Sequence, residues 1–346
     1  MAKGGGGGGN QIAMLINLDK CLGCHTCTVA CKNLWTNKGG REYMYWNNVE
    51  SRPGEGYPRN WENKGGGFQG GQPDPGIFPT NEEYGLGTQG EIVDYDYPTR
   101  LGNDPDNVTQ DPGPNNGIVD ADPQPSWLSN WDEEQGDGTF PNSYYFYLPR
   151  MCNHCDRPAC LESCPRNAIY KREEDGIVLV DQDRCRGYRQ CVRTCPYKKI
   201  FFNTQTLKSE KCIFCYPRIE AGEATACAVQ CPGRVRHIGF VSDPASDAYR
   251  LAKDLKVALP LHPEYETGPN VYYIPPFSGP SQVNGDGSLV NVDRIPGDYL
   301  RFLFGPDVDA AIATLRAERD TVEAGGTSEI LDILNSNDRY QIPVGG

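Results

Sequence analysis

Apolar positions along this chain come in short runs rather than long ones. Gln11–Asn17 (QIAMLIN) reads as a strand, and Gly176–Val180 (GIVLV) as a second one that enters a polar, cysteine-bearing segment in the same way. Lys199–Asn203 and Leu207–Lys211 read as the two arms of a hairpin, and His237–Val241 as a further strand. Helical spacing is expected from Cys27 to Leu34, in a short turn between Cys215 and Cys227, over Pro244–Leu255 and over Asp307–Ala324. For Pro244–Leu255, Asp243 is the candidate N-cap, and Pro244 takes the first helical position, where its missing N–H is no loss. A Pro-rich extended segment, Leu259–Pro280, lies between the last two helices.

Composition changes this picture. Only 38% of the 346 residues are hydrophobic, against 40 glycines and 28 prolines, so order has to come partly from something besides side-chain burial. Fifteen cysteines supply it. A secreted disulfide framework favours an even count in a short chain behind a signal peptide. Here Met1–Asn10 is dominated by Gly4–Gly9, read as a disordered tail without a basic and apolar leader or a twin-arginine signal. No window approaches about 18 apolar residues, so no membrane span is expected.

The cysteine spacing carries the chemistry. Cys21, Cys24, Cys27 and Cys31 repeat the C-x2-C-x2-C-x3-C register of bacterial two-cluster ferredoxins, in which the fourth cysteine ligates the other cluster. Lys32 stands where that register has proline. Cys152, Cys155, Cys160 and Cys164-Pro165 form a second group with one longer gap, and Cys185, Cys191 and Cys195-Pro196 a third. Cys212, Cys215, Cys227 and Cys231-Pro232 complete the set. Applying the crossing rule gives [4Fe-4S] sites at Cys21, Cys24, Cys27 and Cys231, at Cys31, Cys212, Cys215 and Cys227, and at Cys152, Cys155, Cys160 and Cys195. Cys164, Cys185 and Cys191 remain, with Tyr188 at the position midway between the last two. Three thiolates suit a [3Fe-4S] cluster with Tyr188 as a neighbour and not a ligand; the alternative is that Tyr188 packs over a cube completed by some other ligand. Zinc competes for paired C-x2-C groups, but its knuckles are separated, whereas here three thiolates fall within seven residues. His25 and His154 lie inside ligand runs, where hydrogen bonding around the cluster is a better role than replacement of a cysteine.

Charge is unevenly distributed within the net −13. From Glu91 to Phe140 twelve acids face Arg100 alone, while Arg150–Arg218 holds fourteen Lys and Arg against eight acids. A basic lining favours reduced, negatively charged clusters, and the acidic total disfavours nucleic acid as a partner. Between Gly39 and Pro149 there is no cysteine but much Gly, Pro, Asn, Asp and aromatic residue, including Tyr43, Tyr45, Trp46, Tyr57 and Trp61. Each aromatic taken singly is expected to cap this chain's own core, and the insertion as a whole to be a subunit interface. No nucleophile constellation or phosphate-cradling loop is present, so a non-catalytic electron carrier is expected.

With CLGCHTCTVACKNLWT, REYMYWNNVESRPGEGYPRNWENKGGG, FYLPRMCNHCDRPACLESCP, DGIVLVDQDRCRGYRQC and KVALPLHPEYETGPNVYYIPP, the chain resembles the four-cluster iron–sulfur beta subunit of the type II dimethyl sulfoxide reductase family of molybdoenzymes. The resemblance covers nearly everything except the glycine tail and parts of the acidic insertion. It implies three [4Fe-4S] clusters and one [3Fe-4S] cluster, relaying single electrons between a catalytic alpha subunit with molybdenum bis-molybdopterin and a haem b gamma subunit. It implies that the Cys21, Cys24, Cys27 and Cys231 site lies nearest the catalytic subunit. Tyr188 stands where the family often has tryptophan. The chain is short for a membrane-bound nitrate reductase beta subunit, which favours a periplasmic or extracytoplasmic place by co-export with the catalytic subunit, the alternative being the cytoplasmic face of the membrane. The rival reading of the residues is a polyferredoxin-like carrier working alone.

The expected fold is α+β, with two interleaved ferredoxin-like modules. Residues 11–38 plus 205–242 would form the outer module and 150–204 the inner one, with 39–149 as the loop-rich insertion and 243–346 as a C-terminal extension with helices.

Overall fold

The computed structural model describes residues 10–86 and 134–335. The glycine tail and the acidic stretch over 91–133 lie outside the described residues.

The strand Ile12–Asn17 is the centre of the one four-stranded sheet among the described residues. It pairs antiparallel with Arg236–Phe240, Ile12 opposite Phe240 and Ile16 opposite Arg236, and parallel with Val271–Ile274, Met14 opposite Val271. Leu259–Pro260 closes the far edge beyond Val271–Ile274. All six residues of Ile12–Asn17 are buried because both faces of the sheet are covered. Alternation along the strand divides it between two cores. Ile12, Met14 and Ile16 join the large core that carries the cysteines, and Ala13 and Leu15 join a second core with Leu251, Tyr272, Leu315, Ile330 and Leu334.

The helix after the first cysteines runs over Thr26–Cys31 and continues in a wider π turn over Lys32–Thr36, close to the expected span. The hairpin Ile200–Asn203 with Lys208–Lys211 and the strand Val178–Val180 form as expected. Val178–Val180 pairs with Ile169–Lys171, which the apolar pattern had not marked. The step between Cys215 and Cys227 holds the helix Tyr216–Glu220.

One expectation about the C-terminal part is corrected and another sharpened. The helix expected over Pro244–Leu255 begins at Asp247, continues as a π turn over Arg250–Asp254, and is capped by Ser246, whose hydroxyl accepts from the Ala248 N–H at 3.2 Å. Asp243 instead accepts from the Ala245 N–H at 2.9 Å, a local turn that holds Pro244 outside the helix. Within the expected extended segment, Val271–Ile274 is a buried strand on the central one, because its neighbouring prolines fall just beyond the paired residues. The long helix Val308–Glu323 matches its expected bounds, with Asp307 as N-cap residue. Val308 and Ala311 enter the main core and Leu315 the second, so this helix clamps the chain's own body.

Asn47–Arg52 pairs with Phe146–Met151, Val49 opposite Pro149, so the two ends of the long insertion return to one ribbon. Although its sequence is NNVESR, the first of these strands is buried throughout. Glu50 makes this tolerable. Its carboxylate accepts from Arg150 Nε at 2.7 Å, Asn48 Nδ2 at 3.0 Å and the Tyr57 N–H at 3.0 Å, with Arg52 Nη2 at 3.1 Å. Burial alone would raise its pKa, but Arg150, Arg52 and Lys199 together bring it down to about 2. Tyr43, Tyr45, Trp46, Tyr57 and Trp61 are all buried in this chain's own core, as expected for each singly. Arg150 lies 3.7 Å over the Trp61 ring. No helix among the described residues is long and apolar enough to cross a membrane.

Candidate metal centres

All fifteen cysteines are free of disulfides, and they line four cavities. Cavity I is bounded by Cys21, Cys24, Cys27 and Cys231. Cys31, Cys212, Cys215 and Cys227 bound cavity II, and Cys152, Cys155, Cys160 and Cys195 bound cavity III. Cavity IV has three, Cys164, Cys185 and Cys191, with Tyr188 in its wall.

Left-handed backbone makes the loops turn their sulfurs inward. In Cys21–Cys27, Gly23 has φ +64° and His25 φ +57°, immediately before the helix Thr26–Cys31. In Cys185–Cys191, Gly187 has φ +68° and Arg189 φ +61°, immediately before the helix Gln190–Thr194. The two loops share one conformation, and Tyr188 occupies in the second the place of Cys24 in the first. Glycine is required at both turns: a Cβ on Gly23 would come within 2.5 Å of the Tyr147 ring, and one on Gly187 within 2.6 Å of the Leu207 carbonyl oxygen.

Donors converge on the sulfurs. Trp35 Nε1 donates to Cys215 Sγ at 3.1 Å, carried there by the π turn. Backbone N–H groups of Phe214, Ala168 and Ser209 point at Cys212, Cys164 and Cys185 at 3.3, 3.3 and 3.4 Å. The Thr225 hydroxyl lies 3.3 Å from Cys227 Sγ, and the Ser209 hydroxyl 3.4 Å from Cys191 Sγ. Donors of this kind stabilise thiolate over thiol.

Shared side chains place the cavities in a row. Arg236 Nη2 is 3.4 Å from Cys27 Sγ of cavity I, and its Nη1 is 3.8 Å from Cys227 Sγ of cavity II. Buried Lys211, next to Cys212 of cavity II, donates to the carbonyl oxygen of Val178, a residue that lines cavity III. The ring of Phe214 in cavity II meets that of His154 in cavity III at 5.3 Å. Thr194 and Ser163, adjacent to Cys195 of cavity III and Cys164 of cavity IV, join hydroxyls at 2.8 Å.

Electrostatics separate what the thiols do alone from what they do with metal. Burial pushes the Cys21 and Cys191 thiols up to about 12 and Cys215 to about 11, and burial with the neighbouring cysteines drives Cys31 and Cys160 well above the ordinary value. Without a cation among them, these groups are neutral thiols; binding iron displaces their protons. Buried Lys199, its pKa pulled well down by burial, stands near Cys195 and Cys31. His154 is fully buried and neutral, its pKa lowered by burial, and its Nδ1 accepts from the Val178 N–H at 3.1 Å. This agrees with a supporting role and not with replacement of a cysteine. His25 lies on the wall of cavity I beside its four cysteines.

The residues fit polynuclear iron–sulfur groups. Soft sulfur donors are the whole ligand set. Among the described residues no three His, Cys, Asp or Glu side chains close around one point tightly enough for a single metal ion; instead the sulfurs are spread around the walls of four cavities. Arg236, Trp35, Lys199 and Lys211 were not singled out by sequence. No motif marks them, since each is tied to its cysteine across a gap in the chain or by its position in a strand.

Comparison with known proteins follows this geometry. A family model described as a 4Fe-4S dicluster domain matches residues 143–241. Dimethylsulfide dehydrogenase subunit beta of Rhodovulum sulfidophilum is 52% identical over 325 residues, covering 94% of this chain and 95% of that protein. Selenate reductase subunit beta of Thauera selenatis is 52% identical, covering 96% and 99%, and respiratory nitrate reductase subunit beta of Haloferax mediterranei 53%, covering 94% and 90%.

Proposed function

We propose, from the premise that this chain belongs to the family of beta subunits of dimethylsulfide dehydrogenase and of the selenate, chlorate, perchlorate and respiratory nitrate reductases, that it relays single electrons through four iron–sulfur clusters. The observation that carries this reading is the row of four thiol-lined cavities, each joined to the next by bridging side-chain contacts. Cavities I, II and III each take a [4Fe-4S] cluster on four cysteines, and cavity IV takes a [3Fe-4S] cluster on Cys164, Cys185 and Cys191. When bound, the clusters supply one-electron steps.

The chain's residues hold, insulate and tune. Apolar walls exclude water from cavity II, N–H and O–H donors stabilise sulfur charge, and the buried Arg236 guanidinium favours the reduced state. Tyr188 adds no ligand: it occupies a cysteine's place in the loop and is half exposed. Residues 11–38 with 205–242 act as one ferredoxin-like module, and 150–204 as the other; the pairing of Ile12–Asn17 with Arg236–Phe240 supports this division. The partners are a catalytic alpha subunit with molybdenum bis-molybdopterin beside cavity I and a haem b gamma subunit beyond cavity IV, with 39–149 contributing to the subunit interface. The complex works in the periplasm or outside the cell, exported with its catalytic subunit, and cell fractionation tests that placement.

Low-temperature EPR of the air-oxidised complex, with iron and zinc measured on the same sample, tests the cluster set. The expected result is the near-isotropic signal of one oxidised [3Fe-4S] centre per chain, lost on mild reduction, with iron enough for three further cubes. Iron for four cubes without that signal would refute the assignment of cavity IV, and zinc in a colourless protein would refute the whole reading.

A further inference from the structure

Arg236 opens a strand of the central sheet, opposite Ile16, and is 1% exposed. Its guanidinium touches two cavities at once. Nη2 reaches Cys27 Sγ at 3.4 Å and Asn47 Oδ1 at 2.7 Å, while Nη1 reaches Met14 Sδ at 3.2 Å and Cys227 Sγ at 3.8 Å. A cation this deep is costly unless opposed by negative charge. The opposing charge is that of the Cys27 and Cys227 sulfurs when their cavities are filled. The planar fork is what lets one residue address two sites: its two terminal nitrogens diverge, whereas a lysine would present a single point.

We propose that Arg236 is a fixed charge shared by the clusters of cavities I and II, raising both reduction potentials and screening the electron on one from the electron on the other. It is a positioning residue for electron transfer and neither ligates nor reacts. Asn47, itself buried on the strand Asn47–Arg52, sets the plane of the fork by accepting from Nη2. Cavity IV is arranged differently, with Arg166 and Arg186 of its wall at the solvent surface, where water screens them.

The inference rests on cavities I and II holding clusters, so the test begins with the wild-type complex: iron content and an EPR-monitored redox titration must show four couples, and their absence would sink that underlying reading. Arg236→Gln is then titrated in the same complex. With iron retained, two of the four couples are expected to move down together, the reduced-to-oxidised ratio of each falling at least about tenfold at a fixed ambient potential, equivalent to about 59 mV for one electron. The other two stay in place. Arg236→Lys keeps the charge and is expected to rescue one of the two couples more fully than the other. Four unmoved couples, a single moved couple or a uniform shift of all four in Arg236→Gln would overturn the proposal. If that variant fails to assemble, Asn47→Ala decides: a smaller downward shift confined to the same two couples supports a shared charge, and no shift overturns it.

Discussion

In cavity II every cysteine is between 6% and 8% exposed, and its wall joins Cys31 to residues almost two hundred positions later. In cavity IV Cys164 is only half buried, Tyr188 is 50% exposed, and the three cysteines come from one continuous stretch of the chain. The first is a keystone, since what fills it also holds distant segments together. The second resembles a port on the surface whose contents can change without disturbing the body. Deep walls of Trp35, Trp46 and Met151 in cavity II contrast with the surface arginines of cavity IV.

Replacing one ligand in each cavity gives the largest test of this contrast. Cys227→Ala should remove the cluster of cavity II and with it folding energy on the order of 10 kcal/mol, as metal centres supply to small folds, leaving a chain that limited proteolysis degrades. Cys164→Ala should lose only the iron of cavity IV and resist proteolysis like the parent. Equal sensitivity of the two would remove the distinction.

Tyr188→Cys sharpens it at lower cost to the fold. Because position 188 shares the backbone of position 24, the new thiol should complete a fourth cube, abolishing the [3Fe-4S] signal in EPR while thermal stability shifts by less than about 1 kcal/mol. Persistence of that signal would show that the loop does not direct residue 188 inward.

Trp35→Phe removes the indole N–H from Cys215 and keeps the ring. A lost hydrogen bond to a charged sulfur costs about 1.5 to 3 kcal/mol, read as a lower melting temperature and a lower potential for a single couple. Ser209→Ala, which takes a hydroxyl from Cys191 in the more solvated cavity, should cost less.

The smallest effect lies away from both cavities. Burial lowers the His262 pKa, but hydrogen bonds to Glu264 at 2.7 Å and Glu62 at 2.8 Å reverse this and raise it above 6.5. A raised folded value means that the stability it contributes is complete below pH 6.5 and fades as pH rises through that higher value. Glu62, held below its ordinary 4.5, loses its share only as pH falls through its own lowered value. Denaturant midpoints should therefore decline above pH 6.5 in the wild type and stay level there in His262→Gln, a difference of about 1 kcal/mol.

The sequence made the cysteine grouping legible because ligand spacing is a local code, and a crossing rule turns it into long-range pairings. The strands beside the cysteines were legible for the same reason: an apolar run next to a ligand loop has few alternatives. What escaped was built by polar residues in the interior. NNVESR does not read as a buried strand, since nothing local reveals that Glu50 will meet Arg150 one hundred residues later. Val271–Ile274 hid among prolines, and Arg236 among ordinary surface-type residues. The Asp243 cap failed because Ser246, three residues later, can cap as well, and it is Ser246 that accepts from the helix.

The strand Ile12–Asn17, seated between Arg236–Phe240 and Val271–Ile274, has a consequence for how the protein is made. It is synthesised more than two hundred residues before either of these neighbours. Cys21, Cys24 and Cys27 then wait for about 200 further residues, on the order of 10 to 40 s of synthesis, before Cys231 exists to close their cavity. Over that interval the thiols are the most oxidant-exposed part of the nascent chain, so assembly of this protein is timed by translation, and cavity I, whose first ligands are the oldest, is among the last to be housed.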